Sequence, residues 1–367
     1  MRPRELVDIT DDPREAAATL PDPGLSVRAR ARWALQVAQL APSIHNTQPW
    51  CWHLDAPPGG TATIELRVDA ARHLPALDPE GRQQEISCGC ALGALLIGLA
   101  AAGLAVETEL VPAHVPGVLA RIAVTDAGHT SGEALARVSA LRHRRSARGW
   151  FTDEPVPPPL LADLARQAAL HGVAARVVGT RPDERAVLDR LIALATLTQL
   201  EDARVPAETM AWTREAGDAR RDGVPSFAWE RTSEQTADGA LVLRDFADDR
   251  AVPDAIVVPD GEPYPALLLL STIEDGRAAH LNSGLALLDI LVAAEQAGVA
   301  VGHVNQAIED PGTRLRLAHE LRTPGSPQLV RRRGYPVAHP TTLAPRRPLA
   351  DVLDVSHPLP PRRCARA

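Results

Sequence analysis

No lysine occurs anywhere in the 367 residues, so all 39 basic side chains are arginine. That absence excludes a Walker A phosphate loop, a Schiff-base lysine and a Ser–Lys nucleophile pair. Any phosphate must be held by arginine, backbone N–H groups or hydroxyls. Aromatic residues are scarce as well, at 3% of the chain against 45% hydrophobic residues in all. The apolar volume is therefore mostly Ala, Leu and Val, which suits packed helices with a modest sheet. Cysteine occurs only at Cys51, Cys88, Cys90 and Cys364, without a CxxC pair, and no disulfide framework is expected. Cys88 and Cys90 fall in an apolar stretch and read as core rather than as metal ligands. The longest apolar run, Ala91–Val106, is too short for a bilayer, and the acidic start MRPRELVDITDD does not read as a signal peptide. A soluble, reducing, cytoplasmic protein is expected. The net charge of −7 argues against a nucleic-acid surface. A dinucleotide GxGxxG after a strand, an HExxH helix and a GxSxG elbow are all missing.

What is present divides into two sets of elements. Residues 1–25 read as an arm of mixed charge. Arg28–Leu40 has helical periodicity and stops at Pro42, Thr61–Val68 alternates as a strand, Gln83–Gly103 is a long apolar helix, and Ala120–Thr125 is a strand. The second set runs through a helix at Leu160–His171, a strand at Ala174–Gly179 and a helix at Glu184–Gln199 with Asp183 as its cap. A strand at Ala266–Thr272, a long apolar helix at Asn282–Gly298, a strand at Gln328–Gly334 and a tail at Pro345–Leu353 complete it. Residues 200–262 read as an irregular, charged excursion with Trp212, Phe227 and Trp229, the kind of segment that serves as a lid or binding loop. The two long helices match each other at a constant separation of 195 residues, Gly89 on Gly284, Leu92 on Leu287, Leu96 on Leu291 and Ala-Gly-x-Ala-Val on Ala-Gly-x-Ala-Val, which points to an internal duplication.

Three clusters could carry chemistry. APSIHNTQPW at Ala41–Trp50 crowds Pro42, Ser43, His45, Asn46 and Gln48 into the turn after a helix, a set of donors suited to a planar heteroaromatic ring. A capped helix end with a polar loop would look the same. RHRRSARGWF at Arg142–Phe151 places Arg144, Ser146 and Arg148 on one side of an extended chain, beside Arg145, where guanidiniums and a hydroxyl could hold a phosphate. A solvated basic patch is its plainer reading. Pro345–Leu349 holds Arg346 and Arg347 between prolines.

In this order the three clusters resemble the nitroreductase-like FMN-binding flavoproteins, specifically their Acg-like branch. An ordinary member begins with an RRSxRxF-type segment, continues to APSxxNxQPW, ends in an arginine–proline tail and forms a homodimer with two FMN sites at its interface. Here the motifs are split: the first half keeps APSIHNTQPW but has SVRARAR where RRSxR should stand, and the second half has RRSARGWF but lacks the turn. The resemblance extends through Asp78–Arg82, Asp222–Pro225, Asn305–Glu309 and Arg333–Tyr335. It implies an α+β nitroreductase fold with two tandem nitroreductase-like halves, residues 26–135 and 136–353, forming an intrachain pseudo-dimer. A lid-like insertion at about 200–262 and a terminal tail at 354–367 flank this arrangement.

The resemblance further implies one FMN, with Arg144, Arg145, Arg148 and one of Arg346 and Arg347 toward the phosphate. Ser146 would lie near the ribityl chain, Pro42, Ser43, Asn46 and Gln48 toward the ring from the other half, and Gly302 with its backbone near the flavin's central nitrogen. No metal site is expected. The implied activity is NAD(P)H-dependent reduction of a small aromatic or quinone-type acceptor, or a dehydrogenase reaction on a carrier- or peptide-bound substrate, with no protein residue nominated as a proton donor. The alternative is non-catalytic FMN sequestration or storage under a closed lid. A monomer acting as a pseudo-dimer is expected, with no nucleic-acid or membrane partner.

Overall fold

A computed structural model describes residues 11–57, 61–148, 151–226, 266–336 and 343–354. Phe227, Trp229 and the remainder of the excursion lie outside the described residues, as does the tail from residue 355. The chain runs α1 (Pro13–Ala16), α2 (Val27–Ala38), β1 (Trp50–Asp55), β2 (Ala62–Val68), α3 (Arg82–Ala101), β3 (Leu104–Leu110), β4 (Val118–Asp126), α4 (Gly132–His143) and β5 (Ser146–Ala147). It continues through α5 (Pro158–Ala169), β6 (Ala174–Val178), α6 (Pro182–Glu201), α7 (Arg204–Ala211), β7 (Thr213–Arg214), β8 (Val224–Pro225) and β9 (Ala266–Thr272). The last elements are α8 (Arg277–Gln296), β10 (Ala300–His303), α9 (Gln306–Glu309), α10 (Pro311–Glu320), β11 (Ser326–Gly334) and β12 (Leu353–Asp354).

The same topology occurs twice. The series α2, β1, β2, α3, β3, β4 forms an antiparallel sheet ordered β1-β2-β4-β3, and α5, β6, β9, α8, β10, β11 forms one ordered β6-β9-β11-β10. Each sheet gains one parallel edge strand, β12 against β1 and β5 against β10. The second series is longer, with α6 to β8 and the excursion between β6 and β9, and α9 with α10 between β10 and β11.

Helices α3 and α8 form the centre. Both are long and apolar enough to cross a membrane, a length that the count of uninterrupted apolar residues understated, yet most of each apolar stretch is buried inside the protein. They cross at the two glycines paired in the sequence. A Cβ on Gly89 would stand 2.3 Å from Leu281 O, and one on Gly284 would stand 2.2 Å from Ile86 O. Leu281 and Ile86 are themselves 195 residues apart, so each glycine meets the counterpart of the other's contact. Only hydrogen at both positions allows this approach. The main core gathers around the pair: Trp33, Trp50 and Trp52 from the first series and Leu268, Leu270 and Leu329 from the second.

Several expectations are corrected. Residues 200–226 are not structureless, because α7 and the β7–β8 bridge lie there. Asp183 sits in the first turn of α6 rather than at its cap, which is Arg181, and the two form an exposed ion pair. Strand β3 and helix α4 were not separable from their neighbours in sequence, since β3 follows α3 after a left-handed glycine, Gly103. Cys88 and Cys90 are free and buried, as core residues should be.

Candidate functional site

The turn after α2 is held in a demanding backbone conformation. His45, Asn46 and Gln48 have φ of 43°, 54° and 51°, the left-handed region that non-glycine residues enter at a cost. Its geometry is fixed from within and from α3: Ser43 Oγ accepts from Gln48 N at 2.9 Å, and Ile44 N donates to Ser87 Oγ at 3.1 Å while Ser87 Oγ donates to Gln83 O. Two amide side chains then tie distant chain to it. Asn46 Nδ2 donates to Gly223 O at 3.0 Å and Pro345 O at 3.2 Å, and its Oδ1 accepts from Arg346 Nη1 at 2.9 Å. Gln48 Nε2 donates to Arg221 O at 2.8 Å and its Oε1 accepts from Arg347 N at 2.8 Å. The 221–225 strap is clamped further by Asp222, which bridges Arg72 and Arg214 at 2.8 Å each, with both guanidiniums near the Trp212 ring.

These segments form one wall of a cleft with about 1560 Å³ of empty space, its open mouth included. Pro42, Ser43 and Asn46 line it from the turn, and Val224 and Pro225 from the strap. Arg144, Arg145, Ser146 and Arg148 line the opposite side around β5, with Arg346 from the tail. Eight of the eleven residues singled out in the sequence therefore meet at one cavity, although they come from three regions about one hundred and two hundred positions apart.

The other three stand beside it. Gln48 is fully buried and serves the strap and tail. Arg347 turns away from the cleft to donate to Asp351 O at 3.0 Å and Gln48 O at 3.3 Å, which distinguishes it from Arg346. Gly302 does not line the cavity; a Cβ there would be 2.6 Å from both Ala147 O and Arg332 Nε, so close packing of β10 against β5 and β11 requires the glycine.

The electrostatics of the cleft are lopsided. Arg144 and Arg346 are 4% and 6% exposed, yet Nε and Nη1 of Arg144 and Nε of Arg346 have no hydrogen-bond partner. Burial, and then Arg14, pull Arg144 down to about 10; burial, then Arg14 and Arg144, hold Arg346 well below the usual arginine value. Among the described residues, Glu309 is the one carboxylate lining the cleft, and it lies toward Arg331 and Arg82 rather than toward Arg144. Buried guanidinium nitrogens without an acid are costly unless an anion completes them. A phosphate monoester supplies the charge and the acceptors those nitrogens lack, so the donor set fits the phosphate of FMN.

Four basic lining residues, Arg14, His303, Arg331 and Arg332, were missed in the sequence. Arg14 lay in a segment read as an arm. Arg331 and Arg332 belong to QLVRRRG, a strand whose three consecutive arginines are all buried, and buried charge in a strand otherwise reading as core was the available signal. Arg333, in the same run, is fully buried with all three guanidinium nitrogens unpartnered. His303 faces the cleft with its Nε2 3.1 Å from Ser146 Oγ. Desolvation in the cleft, then Arg331, Arg148, Arg144 and Arg332, lower its imidazole below the ordinary histidine value, although the side chain keeps an exposed surface toward the open mouth.

No family model matches the chain. Whole-length relatives do. A Mycobacterium tuberculosis protein named as an NAD(P)H nitroreductase is 30% identical over 91% of this chain and 93% of its own length. A second from that organism, named NAD(P)H nitroreductase Acg, is 29% identical over 88% of this chain and 94% of its own. Among solved structures, one described as a nitroreductase from Anabaena variabilis covers 91% of this chain and 94% of its own, with 9% identity and a TM-score of 0.49. On the sequence relatives, the chain belongs to the nitroreductase-like family, in the branch that includes Acg.

Proposed function

We propose that this chain binds one FMN in the cleft and uses it as an NAD(P)H-dependent oxidoreductase on a small aromatic or quinone-type acceptor. The observation that carries the reading is the set of buried, unpartnered guanidinium nitrogens on Arg144 and Arg346, both lining a cavity that is also lined by the amide- and hydroxyl-bearing turn. Arg144, Arg148 and Arg346 would hold the phosphate, with Arg145 beside them and Ser146 toward the ribityl chain. Pro42, Ser43 and Asn46 would face the ring, while Gln48 and Arg347 hold turn and tail in register. When bound, the flavin supplies hydride and electron transfer; the protein supplies position, charge and exclusion of water.

A single site per chain is favoured by the unequal sheets. In the first sheet, Val124 stands opposite Val106 and Ile122 opposite Thr108, in the register where the second sheet sets Arg333 opposite Val301 and Arg331 opposite His303. The first sheet is apolar where the second is cationic. We accordingly read residues 26–135 and 136–353 as a fused pair acting as a pseudo-dimer within a cytoplasmic monomer, with about 200–262 as a lid-like insertion.

Reconstitution tests the core of this reading. Flavin-free protein titrated with FMN should bind one equivalent, and protein that takes up none refutes it. Anaerobic stopped-flow with NADH and NADPH then tests turnover. Bleaching of the bound flavin supports the oxidoreductase. Flavin that stays oxidised with both donors yet bleaches with dithionite supports sequestration, the second reading, which the clamped strap favours because Val224 and Pro225 wall the cleft.

A further inference from the structure

His303 stands where one added charge matters most. It lies on β10 opposite Arg331 of β11, and Arg148, Arg144 and Arg332 also bear on it. All four neighbours are cationic, and each opposes a proton on the imidazole. The other titratable groups of the surrounding elements do not relieve this. Glu309 of α9 lies toward Arg331 and Arg82, and burial pushes the Cys90 thiol of α3 up to about 12, so it stays uncharged. His45 lines the cleft from the turn, and Arg346 of the tail adds a further positive charge. The imidazole keeps exposed surface, so an anion in the cleft can reach it.

The ring is aimed by a partner that tolerates either protonation state. β5 and β10 run parallel, with Ser146 beside Val301, and this register sets Ser146 Oγ 3.1 Å from His303 Nε2. A hydroxyl both donates and accepts. Ser146 can donate to a bare Nε2 and accept from a protonated one, so the contact survives a change of charge on the ring. His73, His143, His171 and His280 differ. Each sets a ring nitrogen against a carbonyl or carboxylate oxygen, an acceptor that fixes a proton there. His303 is also flanked by Arg144 and Arg148, the arginines assigned above to the flavin phosphate.

We propose that His303 is a proton-switched ligand of the flavin phosphate: entry of the phosphate dianion draws a proton onto the imidazole, and flavin affinity therefore rises as pH falls. This rests on the flavin reading above and adds the regulation of that same site. An anion among the guanidiniums offsets the field that opposes the proton, so the ring protonates more readily in the loaded cleft than in the empty one. Reciprocity requires that the protonated ring tighten the anion by the same factor. Affinity is level at high pH, rises as pH falls through the loaded cleft's titration of His303, and levels again below that of the empty cleft. Each pH unit between the two titrations corresponds to about tenfold in affinity.

The test measures FMN binding to the flavin-free full chain between pH 8.5 and 6.5, where the phosphate keeps most of its dianionic charge because its own second ionisation lies at about 6. Wild-type affinity should rise by roughly threefold to tenfold across that interval. Calorimetry at pH 7 in two buffers of different ionisation enthalpy should show proton uptake on binding. His303→Gln should hold the affinity ratio between the two pH values near one and remove the uptake. His303→Asn should repeat that result, so a folding defect in one variant does not decide the matter. Riboflavin, which lacks the phosphate, should cause no uptake. A wild-type affinity that is level across the interval overturns this inference alone, as does a His303→Gln protein that keeps the wild-type ratio and uptake. Uptake with riboflavin equal to that with FMN also overturns it, because the proton would then answer to the ring system and not to the phosphate. Protein that takes up no FMN at any pH overturns the flavin reading itself.

Discussion

Arg346 and Arg347 are adjacent and chemically identical, and their fates are opposite. Arg346 enters the cleft with an unpartnered Nε, whereas Arg347 is spent on Gln48 O and Asp351 O. Arg346→Gln should therefore weaken FMN binding by roughly 10- to 100-fold, taking about 1.5–3 kcal/mol for a hydrogen bond to a charged group, and also lower the melting temperature through its lost bond to Asn46 Oδ1. Arg347→Gln should lower the melting temperature by detaching the tail, with a smaller effect on FMN binding. FMN titration and thermal unfolding of both variants check the pair. His303 gives a pH signature. Its folded-state value lies below the ordinary one, so below about pH 6.5 the unfolded chain binds a proton that the folded chain refuses. Stability is fully present above that pH and declines as pH falls. Melting temperature measured from pH 7.5 to 5 should drop in the wild type, and His303→Gln should flatten part of that drop. The cluster types were legible at this scale, because Ser, Asn and Gln in a post-helix turn and arginines around a serine declare donors for an anion and a polar ring. The division of labour between Arg346 and Arg347 was not, because side-chain direction depends on partners such as Gln48, 299 positions away.

The elements show where local pattern suffices. The long helices, the strands β2, β4, β9 and β11, and the end of α2 at Pro42 follow from periodicity and from proline. The α3–α8 crossing follows from the glycines, and it can be tested. Gly89→Ala should destabilise by about 1–3 kcal/mol or more, because the new methyl meets the backbone at Leu281 O and the helices must separate. Gly93→Ala should cost much less, since its methyl meets the tip of Leu288, whose Cδ2 at 2.8 Å can rotate aside. Calorimetry on the two variants gives the comparison, and equal losses would show that the crossing is not set at Gly89. Helix α7 and the β7–β8 bridge escaped a sequence reading because their stability comes from outside. Glu208 of α7 accepts from Ala76 N and Leu77 N, and the bridge is sealed by Asp222 between two arginines. Local propensity reports neither.

For the whole molecule, the repeated topology and the one-sided distribution of arginine make a stoichiometric prediction. Sedimentation should find a species near 39.2 kDa, with flavin absorbance equal to one FMN per chain. Two FMN per chain would contradict the reading of Ile122 and Val124 as the apolar counterparts of Arg331 and Arg333.

Composition and motif by themselves determined that any phosphate here must meet arginine, that two similar apolar helices exist 195 residues apart, and that the donor-rich turn and the arginine–serine segment stand in separate stretches of the chain. These are properties of residue type and spacing, which a linear chain carries intact. Only the tertiary structure decided that Arg14 and His303 belong to the cleft, that Arg347 and Gln48 are braces, and that the strap at 221–225 is clamped against the turn. Each of those depends on hydrogen bonds and charge neighbours far apart in sequence, and the packing of α3 on α8 at Gly89 and Gly284 brings them together.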